Sequence, residues 1–132
     1  MRKFIKILLV DDEPEWLDLL QGWLEILGIE VRRAQNGLEA LRLLKSQTFD
    51  LVISDTNMPC MDGVKLLTTI RAASSDIPVI MFFSGLRGAE LSREDLERCG
   101  ANAVLEKQEI YTQLNPLIKG VLGAHRTPLL SL

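Results

Sequence analysis

The sequence predicts an α/β domain built on a parallel β-sheet that helices cover on both faces. Short apolar runs alternate five times along the chain with longer segments. In those longer segments the apolar residues recur at the spacing of an amphipathic helix. Strands that alternate with helices in this way form parallel sheets with both faces covered. The chain of 132 residues has the length of one domain with a substantial core.

Five strands and five helices are expected in alternation. The strands are placed at residues 4–10, 29–32, 51–54, 77–83 and 103–105. The apolar residues that mark the helices are, in chain order, Leu17, Leu20, Trp23, Leu24 and Leu27; Leu38, Leu41 and Leu44; Val64, Leu67 and Ile70; Leu91 and Leu96; and Ile110, Leu114, Leu117, Ile118 and Val121. Strand 29–32 alternates apolar and charged residues, which is typical of a half-exposed edge strand. Trp16 and Trp23 are interpreted as packing or surface-contact residues.

Proline, glycine and asparagine mark the ends of several elements. Pro14 suits the first turn of a helix, where its missing N–H costs little. Asp12 or Glu13 can serve the amino end of the same helix, and Gly28 ends it. Asn36-Gly37 caps the second helix. Local signals therefore bound the first helix at both ends and the second helix at its start.

Composition is typical of a cytoplasmic protein. The net charge of −3 offers no basic surface for nucleic acid. No apolar run has the length of a membrane span or the form of a signal peptide. Cys60 and Cys99 lack the spacing of a metal site or a disulfide framework. We therefore expect a cytoplasmic domain over residues 1–122 and a flexible tail over 123–132, with no direct contact with nucleic acid or membrane.

Two of the predicted strands end in acidic residues. Asp11, Asp12 and Glu13 follow the first strand, and Asp55 ends the third. The carboxyl ends of parallel strands share one edge of the sheet, which is where ligands bind in open α/β folds. Carboxylates that converge there repel one another and need a cation or must take up protons. The residues therefore predict a site for a hard divalent ion such as Mg²⁺, which prefers oxygen ligands.

Several short stretches stand in an order and spacing that a known family shares. They are 7–13 (ILLVDDE), 34–41 (AQNGLEAL), 50–55 (DLVISD), 58–59 (MP) with 61–63 (MDG), and 100–101 (GA) leading to Lys107. Together they resemble the receiver domain of bacterial two-component response regulators, over about residues 4–122. The resemblance implies a flavodoxin-like, doubly wound fold whose strands lie in the order 2-1-3-4-5.

The resemblance also implies roles for the acidic residues. Asp55 matches the phosphoacceptor, whose carboxylate attacks the phosphorus of a phosphohistidine and becomes an acyl phosphate. Asp11 and Asp12 match the acid pair that holds Mg²⁺, Asp12 directly and Asp11 through water. Asn57 matches the position whose backbone carbonyl binds the metal. The implied cofactor is therefore Mg²⁺, which would offset charge on the phosphoryl oxygens.

Lys107 and Ser84 are the other two implied site residues. Lys107 matches the lysine that reaches the phosphate as a point charge. Ser84 is the candidate for the hydroxyl that moves toward the phosphate and reports its arrival. The alternative interpretation of Ser84 is a plain turn residue beside Gly85.

Three positions depart from the family pattern. Counting from the proline before the fourth strand places Phe83 at the hydroxyl position, so assigning Ser84 implies a bulge. Val104 stands where the family often has an aromatic that swings inward on activation, and Phe82 or Phe83 is expected to take over that packing. Gln108 stands where proline usually follows the lysine, so the bond before it is expected to be trans or strained.

The resemblance implies a phosphoacceptor signalling domain rather than an enzyme that turns over a substrate. Its partners would be a sensor histidine kinase or a histidine phosphotransfer protein, a downstream effector that the sequence does not specify, and a second copy of the chain on phosphorylation. Two alternatives stay open. One is a degenerate receiver that acts without phosphorylation. The other is a Mg²⁺-dependent phosphatase with an aspartyl nucleophile, which Asn57 disfavours because such enzymes carry a second acid there.

Overall fold

The computed structural model describes residues 4–56, 61–73, 75–83 and 92–123, except for the side chains of Phe83 and Tyr111. The strands are β1 (Lys6–Val10), β2 (Glu30–Ala34), β3 (Leu51–Asp55), β4 (Val79–Phe83) and β5 (Ala103–Glu106). The helices are α1 (Pro14–Ile26), α2 (Gly37–Ser46), α3 (Gly63–Ala72), α4 (Arg93–Arg98) and α5 (Ile110–Gly123). A 3₁₀ turn, Lys107–Glu109, joins β5 to α5. No helix within the described ranges is both long and apolar enough to cross a membrane.

The five strands form one parallel sheet in the order β2-β1-β3-β4-β5. The predicted doubly wound, flavodoxin-like fold is confirmed. The chain passes from β1 to β2 in one direction across the sheet, and from β3 to β5 in the other. The order therefore reverses between β1 and β3, and in open α/β sheets ligands bind beyond the carboxyl ends of the strands at such a reversal.

Side chains alternate along the inner strands, so the sheet separates two apolar cores. Ile7 and Leu9 belong to the core under α1 and α5. Those helices contribute Leu17, Leu20, Leu24, Ile110, Leu114, Ile118 and Leu122. Leu8 and Val10 belong to the core under α2, α3 and α4, which contribute Ala40, Leu66, Leu67, Ile70 and Leu96. Burial on both faces explains why the inner strands read as continuous apolar runs.

The start of α1 differs in one detail from the sequence prediction. Pro14 is the first helical residue, as expected, but the side chain of Glu13 makes no capping hydrogen bond. Instead Asp11 Oδ1 accepts the backbone N–H of Glu13 at 3.1 Å. Asp11 therefore orders the approach to the helix in place of Asp12 or Glu13. Asn36 caps α2 as predicted, accepting a backbone N–H from the first turn at 2.9 Å.

β4 begins at Val79, two residues later than the predicted strand. Pro78 has no N–H to donate to a sheet, and side chains occupy the backbone groups on either side of it. Arg71 donates to the carbonyl of Ile77 at 2.7 Å, and the N–H of Val79 donates to Asn102 Oδ1 at 2.9 Å. These long-range bonds, which the sequence does not signal, tie the end of α3 to the starts of β4 and β5.

The helix predictions hold with small exceptions. Gly28 follows α1 with φ of 83°, the left-handed conformation that glycine adopts at a helix end. Leu38 is predicted on the packed side of α2, but it lies in the first turn of that helix and is 45% exposed. Leu91 lies outside the described residues, and so does the predicted tail from residue 124 onward.

Candidate functional site

Asp11 and Asp55 lie at the carboxyl edge of the sheet, on neighbouring strands. Asp55 is the last residue of β3, and Asp11 directly follows β1. The N–H of Asp11 donates to the carbonyl of Ala34 at 3.1 Å, so pairing with β2 continues past the end of β1. The side chains of Asp11 and Asp55 are only 2% and 7% exposed. The structure thus brings the two acidic strand ends together, as predicted.

Asp12 and Glu13 complete an acidic cluster with Asp11 and Asp55. One carboxylate oxygen from each of these four residues lies within 4.8 Å of the others. Asp12 and Glu13 are exposed, whereas Asp11 and Asp55 are buried. The cluster therefore opens to solvent through its two exposed members. Oxygen ligands at this spacing have the donor chemistry of a hard divalent cation.

Lys107 supplies a positive charge to this cluster. It is the first residue of the 3₁₀ turn after β5, and its side chain is 16% exposed. Its Nζ lies 3.0 Å from Asp11 Oδ2 and 3.6 Å from Asp55 Oδ2. The shortest contact, 2.5 Å, is with Glu13 Oε1. The partnership with Glu13 was not identified from the sequence, where Glu13 was placed in the acidic segment and at the helix start but was not paired with a lysine.

The burial and charges of the site shift two pKa values. Burial, with a smaller contribution from the Asp55 carboxylate, raises the pKa of Asp11 from 3.8 to about 6, against the lowering effect of Lys107. Burial by itself would lower the pKa of Lys107, but its contacts with Glu13, Asp11 and Asp55 outweigh this and raise it. Lys107 therefore stays protonated, whereas Asp11 takes up a proton in mildly acidic solution.

Gly63 allows the start of α3 to approach the backbone of Asp55. The N–H of Gly63 donates to the carbonyl of Thr56 at 3.0 Å, and a Cβ atom at Gly63 would overlap the carbonyl oxygen of Asp55. That carbonyl also accepts the hydroxyl of buried Ser54 at 2.9 Å. Residues 54 and 63 therefore hold the backbone that presents the Asp55 carboxylate. The sequence indicated only that Gly63 opens a helix.

Trp16, in the first turn of α1, contacts the lysine of the site. The Nζ of Lys107 lies 5.2 Å from the centroid of the indole ring. The ring also packs edge-to-face on Phe82, with centroids 5.8 Å apart and an interplanar angle of 89°. The sequence interpretation of Trp16 as a packing residue is incomplete, because it missed the contact with Lys107. Pro14 provided a signal, since a helix that begins there places Trp16 beside the acidic segment.

Two of the residues predicted for the site, Asn57 and Ser84, lie outside the described residues. Their roles stay predictions. The bulge that assigning Ser84 implied is absent from β4. Strand β4 pairs one-to-one with β3, up to Asp55 opposite Phe82, and with β5, up to Phe83 opposite Glu106. A strand paired in regular register on both sides leaves no extra residue in its ladder, so the prediction of a bulge within this strand is wrong.

Two other departures from the family pattern can be assessed. Phe82 belongs to the core under α1 and α5, whereas Val104 belongs to the core on the opposite face of the sheet. Phe82 therefore cannot take over packing at Val104 without crossing the sheet, and that expectation is wrong for Phe82. The described backbone contains no cis peptide bond, so the bond between Lys107 and Gln108 is trans, one of the two predicted forms.

The raised pKa of Asp11 predicts that the metal-free protein loses stability as the pH rises. The folded-state pKa of about 6 lies above the reference value of 3.8, so the folded chain binds a proton that the unfolded chain has released. The stability due to this proton is complete below about pH 4 and is lost as the pH rises through 6, a loss on the order of 2–3 kcal/mol. Urea denaturation at pH 5 and pH 7.5, in a chelating buffer, spans the upper part of this range and should show a difference of about 1–1.5 kcal/mol.

The matched control for this pH dependence is Asp11→Asn, which removes the titrating group and keeps an oxygen that can accept the Glu13 N–H. Its free energy of unfolding should change less between the two pH values than that of the unmodified chain. A divalent cation should raise the free energy of unfolding of the unmodified chain at pH 7.5, because it neutralises the same carboxylates. Equal pH dependence of the two proteins would contradict the assignment to Asp11.

Comparison with known proteins agrees with this geometry. The family model for the response regulator receiver domain matches residues 7–119. The transcriptional regulatory protein CpxR homolog of Haemophilus influenzae is 37% identical over 123 residues, which are 93% of this chain and 52% of that protein. The sensor protein EvgS of Escherichia coli is 35% identical over 125 residues, 95% of this chain but 10% of that protein.

A solved structure extends the likeness to three dimensions. The response regulator protein TrrA from Thermotoga maritima, in complex with Mg²⁺-BeF, superimposes with a TM-score of 0.78 at 31% sequence identity. The match covers 90% of this chain and 100% of that one. The chain thus spans the whole of that solved response regulator but about half, or less, of the length of the two curated relatives. It belongs to the response regulator receiver domain family of two-component systems.

Proposed function

We propose that the chain accepts a phosphoryl group on Asp55 from a phosphohistidine of a sensor histidine kinase or a histidine phosphotransfer protein. The observation that carries this proposal is the placement of Asp55, a buried carboxylate at the carboxyl edge of the sheet with Lys107 Nζ 3.6 Å away. Asp11, Asp12 and Glu13 surround the same point. Membership of the receiver family supports the same conclusion.

In the proposed reaction a carboxylate oxygen of Asp55 attacks the phosphorus, and the bond from phosphorus to the histidine nitrogen breaks. The imidazole leaves with the electron pair, and Asp55 becomes an acyl phosphate. Such transfers depend mainly on positioning and electrostatics. Lys107 can hold a phosphoryl oxygen as a point charge. To do so, its ammonium must give up part of its 2.5 Å contact with Glu13.

The acidic cluster fits a bound Mg²⁺. One oxygen from each of its four carboxylates lies within 4.8 Å of the others, and the cluster supplies only oxygen donors. Burial raises the pKa of Asp11, and a bound cation would favour the ionised form of this carboxylate. We propose that Asp12 and Asp55 bind the ion directly, Asp11 through water, and Asn57 through its carbonyl. When bound, the ion would neutralise charge on the phosphoryl oxygens. The Mg²⁺-BeF complex of the Thermotoga relative supports this assignment.

Replacing Asp12 with alanine should weaken Mg²⁺ binding by roughly tenfold or more, because it removes a proposed ligand. Phosphorylation should slow in parallel. Titration of Mg²⁺ followed by NMR shifts measures the affinity. Glu15→Ala is the matched control, since it also removes an acidic residue from the start of α1 but lies outside the cluster. Equal Mg²⁺ affinity in the Asp12 and Glu15 variants would exclude Asp12 as a ligand.

Incubation with acetyl phosphate and Mg²⁺, followed by intact mass measurement, tests the proposed function. A single phosphoryl adduct that survives long enough to be weighed is the expected result. Two outcomes would overturn the proposal. No adduct and no hydrolysis would indicate an interaction module that works without phosphorylation. Release of phosphate over many turnovers without an adduct would indicate an aspartyl phosphatase.

Phosphorylation would then change the contacts of the domain with its partners. An added phosphoryl group brings about −1.5 to −2 charges to Asp55. Lys107 is proposed to meet this charge with its ammonium and Ser84 with its hydroxyl. Because β4 has no bulge as far as Phe83, Ser84 would have to act from beyond the end of the strand. We expect the response to involve residues 85–88 more than Val104, because a buried valine is too small and too stiff to swing as an aromatic does. We propose that the phosphorylated domain then binds a downstream effector or forms a homodimer.

We propose the cytoplasm as the location, since acetyl phosphate and histidine kinase domains would reach the site there. The proposed domain spans residues 1–122, with residues 123–132 as a tail. No direct contact with nucleic acid or membrane is proposed, and the net charge of −3 is consistent with this.

A further inference from the structure

The side chain of Trp16 bridges the lysine of the site and the strand next to Asp55. The ring centroid lies 5.2 Å from Lys107 Nζ and 5.8 Å from the ring of Phe82, at an interplanar angle of 89°. Phe82 is the β4 residue directly opposite Asp55 in the sheet. Trp16 is therefore connected to Asp55 by two routes, through the lysine and through the strand pairing.

The three carboxylate partners of Lys107 differ in burial, so they attract its ammonium toward different depths of the site. Its nearest partner is Glu13, whose side chain is 63% exposed, whereas the buried Asp55 is the most distant of the three, at 3.6 Å. An ammonium on a flexible four-carbon stem follows the strongest local attraction. Buried Asp11, 3.0 Å away, and the indole of Trp16 are the contacts that oppose displacement of the ammonium toward Glu13 and solvent.

An aromatic face attracts an ammonium without neutralising it and without occupying a carboxylate. The indole of Trp16 can therefore hold Lys107 at the mouth of the site and leave its N–H groups available to an arriving phosphoryl group. The edge-to-face contact with Phe82 fixes the orientation of the ring.

We propose that Trp16 is a positioning residue for Lys107, holding the ammonium beside Asp55 before the phosphoryl group arrives. The part of this inference that concerns transfer rests on the proposed function of Asp55. The contact between the indole and the ammonium does not depend on that function. The two can therefore be tested separately.

The first test measures the rate of phosphorylation by acetyl phosphate in Trp16→Leu and Trp16→Phe. The leucine variant should react about three- to tenfold more slowly, the rate equivalent of a partly desolvated cation–π contact. The phenylalanine variant should recover most of the rate, because it keeps an aromatic face. Trp23→Leu is the matched control on the same helix, two turns further along, and should react like the unmodified chain. Thermal unfolding checks that each variant is folded.

A double-mutant cycle separates positioning from a general structural effect. In a Lys107→Met background, Trp16→Leu should cause no further loss of rate, since there is no ammonium left to position. An equal loss in both backgrounds would overturn the proposal, as would an unchanged rate in Trp16→Leu alone while the unmodified chain forms its adduct.

Fluorescence tests the contact even if no adduct forms. The chain has two tryptophans, so Trp23→Phe leaves Trp16 as the single indole reporter. Adding Lys107→Met should shift the emission of Trp16, because a charge over the ring is removed. Lack of an adduct on the unmodified chain would refute the proposed function alone. An unchanged emission spectrum would refute the contact between Trp16 and Lys107.

Discussion

Replacing Asp55 with asparagine should abolish the phosphoryl adduct completely and leave the fold intact. The amide has nearly the shape of the carboxylate but is not a competent nucleophile, so no acyl phosphate can form. Stability should be unchanged or slightly higher, because the Asp55 carboxylate is one of the groups that raises the pKa of its neighbour Asp11. Intact mass after incubation with acetyl phosphate and Mg²⁺ measures the adduct, and circular dichroism checks the fold.

Asp18→Asn is the control for this experiment. It makes the same chemical change at a carboxylate that is 69% exposed on α1 and paired with Arg33 at 2.5 Å, outside the acidic cluster. This variant should carry the adduct like the unmodified chain. A phosphoryl adduct that persisted on Asp55→Asn would show that another residue is the acceptor and would end the assignment.

Replacing Gly63 with alanine should damage both stability and the site. The new Cβ atom would overlap the carbonyl oxygen of Asp55, which is backbone in a buried strand and cannot move aside as a flexible side chain could. We expect a loss of about 3 kcal/mol or more in the free energy of unfolding. A backbone shift that relieves this overlap would also displace the Asp55 carboxylate, so phosphorylation should slow as well. Urea denaturation and the acetyl phosphate assay measure the two effects.

Gly120→Ala is the matched control for Gly63→Ala. Gly120 lies inside α5, and a Cβ atom there would meet nothing within 4 Å. Alanine in a helix interior is favoured over glycine, so this variant should be unchanged or up to about 1 kcal/mol more stable. If the two alanine variants were equally stable, the close approach between α3 and the Asp55 carbonyl would not be a real constraint.

The class of fold could be predicted from the sequence because its signals are local. An apolar run such as 51–54 followed by helical spacing needs no knowledge of distant residues, and Asn36 caps α2 through a hydrogen bond of 2.9 Å within one turn. The order of the strands was not contained in these patterns and came from the family resemblance. Element ends that depend on distant partners were less accurate. β4 starts late because Arg71 and Asn102 bind the backbone groups around Pro78.

The acidic half of the site could also be predicted from the sequence. Asp11 and Asp55 each end an apolar run, and parallel strands bring their carboxyl ends to one edge. The prediction of a bulge inside β4, in contrast, was wrong. The bulge in β4 was inferred by counting residues, whereas the regular pairing of β4 with both neighbours excludes it.

The alternation of strands and helices and the convergence of acidic residues at one edge follow from local sequence, because periodicity and strand ends are properties of neighbouring residues. How the negative charge of these carboxylates is compensated depends instead on long-range packing. Lys107 meets Glu13 across 94 residues of sequence, Trp16 lies over the same ammonium, and Gly63 fits against the carbonyl of Asp55. Contacts of this kind depend on how α1, α3 and the end of β5 pack on the sheet, and no local pattern encodes that packing.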